Sequence, residues 1–114
     1  MSADPAHWQP MASEQALQQW LSKPLALVLW GGAHCGVCQA LKPRLAQMVA
    51  QDFPEVALAY VDCEALPAAC AQQGVFTLPV LRFFAAGKLV LEYGRSFGLA
   101  QVGEDMRAAL ERLG

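Results

Sequence analysis

This 114-residue chain lacks an excess of charge of either sign, a long apolar run and a dense set of cysteines. Eight Lys and Arg against ten Asp and Glu leave a net charge of −2, which offers no basic field to a nucleic acid and no polybasic patch to a membrane. The longest strongly apolar run, Leu25 to Trp30 in "PLALVLWGGA", has six residues, against the roughly 20 that span a bilayer. "MSADPAHWQPMASEQ" has no cationic start and sets Asp4, Pro5, Pro10 and Glu14 ahead of any apolar stretch. No secretion signal is therefore expected, and the chain is placed in the cytoplasm. Four cysteines are few for a disulfide-stapled secreted fold; in a reducing compartment they read as catalytic, metal-binding or core residues. Internal repeats, low-complexity tracts and linkers are missing too.

What remains is a chain 55% hydrophobic and 16% charged, the composition of a folded protein. Its length suits a single domain over residues 1–114, with residues 1–12 expected to be loosely held. Ser13 can cap a helix over Glu14 to Leu21, which Pro24 ends. "LALVLW" is a continuous apolar run, as in a strand buried on both faces. Val37, Leu41, Leu45, Met48 and Val49 recur at steps of three and four, predicting a helix from about Gly36 to Gln51. "VALAYVD", residues 56 to 62, reads as a second buried strand, and "PAACAQQG" as a short helix with Pro67 in its first turn. "PVLRFFAAGKLVLEY" is a hairpin with Arg82 and Glu92 on its solvent faces. A last helix near Leu99 to Leu113 turns Val102, Met106, Leu110 and Leu113 inward. Strand, helix, strand implies a right-handed parallel crossover. The fold class is α/β, a central mixed sheet with helices on both faces.

"AHCGVCQALKP", residues 33 to 43, places two cysteines three apart where the buried strand has ended and a helix begins. First-turn amides and the positive end of the helix dipole stabilise a thiolate at Cys35, and the thiolate is the nucleophile of disulfide exchange. Cys38, one turn on, can attack a mixed disulfide on Cys35 and resolve it. A haem attachment signal needs histidine after the second cysteine, and here His34 precedes the first while Gln39 follows the second. Zinc held by Cys35, Cys38, Cys63 and Cys70 stays open, although Cys63 and Cys70 are wide apart for a second knuckle. Those two read first as small buried residues; a second, regulatory disulfide is the alternative, since Cys63 sits in the loop just before the short helix that carries Cys70, where a Cα separation of about 4.4–6.8 Å would allow a bond. Trp30 is expected to wall the active-site surface, with core packing as the alternative.

Several pieces together resemble the thioredoxin family over nearly the whole chain: "LVLW", "CGVC", Pro43 five residues after Cys38, "YVDCE", and "GVFTLPVLRFFAAGK". The resemblance implies a thioredoxin-like fold and a thiol–disulfide oxidoreductase that reduces protein disulfides, needs no bound cofactor or metal, and works as a monomer. Its partners would be protein disulfide substrates and a reductase or other thiol electron donor. It also implies that Pro79 follows a cis peptide beside the cysteines, so that Leu78 offers its backbone to an extended substrate. His34, Gly36 and Val37 would face that substrate, and Gly94 would lie near Pro79 and let it approach.

The departures from the family pattern set the chemical question. His34 stands where the family usually has tryptophan, and Val37 where it has proline. The aspartate usually six residues before the nucleophile is Leu29, or Val28 with a one-residue insertion at Gly31-Gly32, and its lysine partner is Leu58. Without that acid, deprotonation of Cys38 falls to water or the departing thiolate. His34, if cationic, would favour the Cys35 thiolate; an exposed imidazole with no role is the alternative. A thioredoxin-like binding or assembly module, with cysteines of little consequence, is the competing functional reading.

Overall fold

The computed structural model describes residues 7–113. Five strands and four helices follow one another along these residues: β1 (Gln9–Pro10), α1 (Glu14–Trp20), β2 (Leu25–Gly31), α2 (Gly36–Asp52), β3 (Ala57–Asp62), α3 (Pro67–Gln72), β4 (Val80–Ala85), β5 (Lys88–Gly94) and α4 (Leu99–Leu113). The strands form one sheet in the order β1-β3-β2-β4-β5. β1 and β2 both run parallel to β3, whereas β4 is antiparallel to β2 and to β5. The central pair β2–β3 is buried along its length because its residues are apolar on both faces, as a parallel pair under helices requires.

Alternation along the strands divides the interior into two layers. Leu27, Leu29, Leu58, Tyr60, Leu81 and Phe83 point to the side packed by Leu41, Leu45 and Val49 of α2 and Val102 and Met106 of α4. Ala26, Val28, Trp30, Ala59, Val61, Val80 and Phe84 point to the other side, covered by Leu17 of α1 and Cys70 of α3. Ser13 caps α1 by accepting the Ala16 N–H at 3.1 Å, which satisfies one of the free amides of the first turn. Pro43 lies within α2; having no N–H, it leaves the Gln39 carbonyl without its helical donor.

Some expectations need correction. Residues 1–6 of the segment expected to be loosely held lie outside the described residues, but Gln9 and Pro10 pair with Ala59 and Tyr60. Met11 is buried behind them. A two-residue strand carrying a proline has almost no sequence signature, so β1 was missed. Leu113 is 56% exposed at the end of α4; Ala109, one turn earlier, is buried in its place. Arg82 is not on a solvent face: its side chain is 13% exposed, its guanidinium stacks 4.8 Å over the Trp30 ring, and its Nε bonds Glu92 Oε2 at 2.7 Å. The pair lies directly across the β4–β5 ladder, where opposite charges attract.

Candidate active site

β2 runs out at Gly31, and the chain reaches α2 through Gly32, Ala33, His34 and Cys35. Cys35 is the N-cap of α2: its backbone is extended (φ −89°, ψ 102°) and its Sγ accepts the Cys38 N–H at 3.3 Å. A 17-residue helix thus directs free amides and the positive end of its dipole at this sulfur, the arrangement that lowers a thiol pKa. Cys35 and Cys38 are joined in a disulfide with Cα atoms 5.2 Å apart. Their exposure differs: Cys38 is fully buried, whereas Cys35 is only half-buried.

The neighbour that sequence reasoning missed is Glu64. Its Oε2 accepts the His34 backbone N–H at 2.7 Å, and its Oε1 lies 2.6 Å from His34 Nδ1. Asp62 fixes Glu64 in turn, its Oδ1 accepting the Glu64 N–H at 2.9 Å. The side-chain bond to Glu64 and then its charge raise the His34 pKa above the ordinary value. The bonds from His34, backbone first, lower that of Glu64. Both side chains are solvent-accessible, so water screens the pair. Imidazolium and carboxylate together carry no net charge, which weakens the expectation that His34 acts as a lone cation beside Cys35.

The two glycines at the end of β2 make this crowding possible. A Cβ on Gly32 would stand 2.6 Å from Glu64 Oε2, and one on Gly31 would stand 2.9 Å from Cys38 Cβ and 2.9 Å from the Tyr60 hydroxyl oxygen. Gln39 closes the same corner, its Nε2 donating to the Gly32 carbonyl at 3.0 Å and reaching the Tyr60 hydroxyl at 3.5 Å.

The Leu78–Pro79 peptide is cis. Trp30 pairs with Val80, so Pro79 lies beside the end of β2, where the chain turns toward Cys35. Val80 pairs with Gly94 and the Arg95 N–H donates to the Pro79 carbonyl at 2.9 Å, which brings Gly94 to the same edge. A Cβ on Gly94 or on Gly36 would meet nothing within 4 Å, so both glycines face open space. Val37 is exposed. Trp30 is fully buried in the layer under α1 and α3; it cannot wall the surface, because the strand alternation that turns Leu29 toward α2 turns Trp30 away.

Cys63 and Cys70 form a second disulfide, Cα to Cα 5.7 Å, and Cys70 is buried. With Val75, Phe76 and Leu78 they line an open cavity of about 260 Å³. Phe76, 80% exposed, was given no role by sequence reasoning. A pair of consecutive glycines at a strand end was the legible sign of close approach here, but nothing local named Glu64 or Tyr60 as the groups approaching.

The sequence model described as Thioredoxin matches residues 6–108. Thioredoxin of Chlamydia muridarum is 33% identical over 89 residues, covering 78% of this chain and 83% of that protein. A probable protein disulfide-isomerase of Schistosoma mansoni is 36% identical over 75 residues, 63% of this chain; the match spans 16% of that much longer protein. Among solved structures, a mutant thioredoxin from Halobacterium salinarum NRC-1 superposes with a TM-score of 0.80 at 23% identity over 96% of both chains. Thioredoxin from Trypanosoma brucei brucei gives 0.79 at 20% identity over 97% of each. These structural likenesses concern the fold.

Proposed function

The chain belongs to the thioredoxin family of thiol–disulfide oxidoreductases, and we propose that it works as a single-domain, monomeric reductase of protein disulfides in the cytoplasm. The observation that carries the reading is the N-cap placement of Cys35, with a fully buried Cys38 at its back. In this scheme the Cys35 thiolate attacks one sulfur of a substrate disulfide, and the other leaves as a thiolate and takes a proton. Cys38, as thiolate, then attacks Cys35 Sγ, closes the Cys35–Cys38 bond and expels the second substrate thiolate. The enzyme dithiol gives up two electrons and two protons; a reductase or small thiol returns them. Leu78 and Pro79 offer a backbone edge to the substrate, with His34, Gly36, Val37 and Gly94 around it. Among the described residues no helix is long and apolar enough to cross a membrane.

A second reading, a binding or assembly module with weak redox activity, is favoured by one observation: Val28, Leu29 and Leu58 are all buried and apolar. No carboxylate stands there to act as a base, and general base assistance is worth about 10²- to 10⁴-fold. Reduction of insulin disulfides with dithiothreitol as electron source separates the two. The reductase reading expects turnover that Cys35→Ser abolishes; equal rates for wild type and Cys35→Ser leave the binding module.

A further inference from the structure

We propose that the Tyr60 hydroxyl is the hydrogen-bond donor that stabilises the Cys38 thiolate when it resolves the mixed disulfide, a proposal that rests on the exchange chemistry assigned above to Cys35 and Cys38.

Cys38 is fully buried, so its reactive anion is costly unless a donor meets it. Among the described residues no charged side chain is buried. Tyr60 projects from β3 onto the α2 side of the sheet and is 7% exposed. Its hydroxyl oxygen and Cys38 Cβ both lie 2.9 Å from the place where a Gly31 Cβ would be. The missing side chain at the end of β2 therefore leaves one space that both groups border, with the phenol oxygen no farther from Cys38 Cβ than twice that distance. In the oxidised protein Cys38 Sγ is bonded to Cys35; the proposal requires that, once reduced, it turns into the space it shares with the phenol.

One neighbour biases which way the phenol proton points. Gln39 Nε2 donates toward the Tyr60 oxygen, so that oxygen acts as acceptor on one side and its own O–H is left to donate elsewhere. Burial first, then the charges of Asp62 and Glu64, hold the Tyr60 pKa above its ordinary value. Lys42 Nζ stands 3.8 Å over the ring, and His34 is paired with Glu64 on the exposed side. Tyr60 consequently keeps its proton at neutral pH and serves as donor, not base: the Cys38 proton leaves to water or to the departing thiolate, and Tyr60 O–H stabilises the sulfur anion left behind.

The test follows one turnover of an asymmetric peptide–thionitrobenzoate disulfide with protein whose Cys35–Cys38 bond alone has been reduced. Release of thionitrobenzoate reports attack by Cys35, and the lifetime of the peptide adduct on Cys35, read by intact mass after acid quench and mapped to that residue, reports attack by Cys38. For Tyr60→Phe the release rate is expected to hold, while the adduct lives about tenfold longer or more and the pH midpoint of its decay rises by about one unit. An adduct lifetime and midpoint unchanged within about twofold overturn the proposal, as does equal slowing of both steps, which marks a packing defect. Should Tyr60→Phe not fold, Gln39→Leu replaces it: longer-lived adduct with unchanged release supports the role, and no change overturns it. A wild-type protein that forms no adduct on Cys35 instead refutes the underlying exchange reading.

Discussion

Replacing Gly31 by alanine tests the crowding on which the site depends. The added methyl would meet Cys38 Cβ at 2.9 Å, the Tyr60 hydroxyl oxygen at 2.9 Å and Tyr60 Cε1 at 3.0 Å, whereas comfortable carbon contacts lie at about 3.5–4.0 Å. None of these neighbours is the free end of a flexible chain: Tyr60 is pinned in the core and Cys38 is fixed by α2 and by its disulfide. Overpacking of this kind costs about 1–3 kcal/mol. Loss of glycine's freedom in the unfolded chain returns about 0.4–1 kcal/mol, so crowding wins. The expected net destabilisation is about 1–2 kcal/mol, a fall in Tm of about 4 to 10 °C for a domain of this size. Urea unfolding of the oxidised protein, followed by far-ultraviolet circular dichroism, reads it as a lower midpoint at unchanged slope. A Gly31→Ala protein as stable as wild type would mean that Cys38 and Tyr60 do not converge there. Gly36→Ala is the control, since its Cβ meets nothing, and it is expected to leave the midpoint unchanged or slightly raised.

Other outcomes follow from particular contacts. Glu64→Gln should lower the His34 titration midpoint, followed by proton resonance, back toward the ordinary imidazole value. In the wild type, His34 (raised) contributes stability below its ordinary 6.5 that is lost as pH climbs through its folded pKa. Glu64 (lowered) contributes above its ordinary 4.5 and loses it as pH falls through its folded pKa, so the pair favours the fold most between those two values and Glu64→Gln should flatten that window. Gly103→Ala in α4 should stabilise by about 0.5–1 kcal/mol, because among the described residues the new methyl closely meets just the flexible Met48 Sδ, at 3.2 Å; a lower Tm would show that Met48 cannot yield. Opening the Cys63–Cys70 bond, which closes a loop of sequence separation 7, should cost about 2–3 kcal/mol. A Cys63→Ala/Cys70→Ala protein with an unchanged urea midpoint would count against it.

Strand and helix order was legible because the periodicities are clean: "LALVLW" has to be buried on both faces, and α2 and α4 carry their apolar stripes at helical spacing. β1 was not, because two residues carry no period. The cysteine pair was legible from its place at a strand-to-helix junction, and the cis peptide before Pro79 through resemblance. Of the two readings left open for Trp30 the structure takes core packing; the choice was not legible because the face a residue takes at a strand end depends on a register that hydrophobicity alone does not set. Glu64 and Tyr60 stayed hidden for another reason: each reaches the site across a gap left by a glycine, from 30 residues away in the case of Glu64 and His34. The missing acid could be read as an absence in the sequence; the phenol standing in the same corner could be seen only once β2 and β3 were side by side.

The direction of the chemistry comes down to the reduction potential of the Cys35–Cys38 couple, measured by glutathione or dithiothreitol redox titration with alkylation and peptide mapping, so that the Cys63–Cys70 couple is scored separately. A reductase requires a value near thioredoxin's, about −270 mV, and that is the predicted result; a value near about −120 mV would make the protein an oxidant and contradict the account.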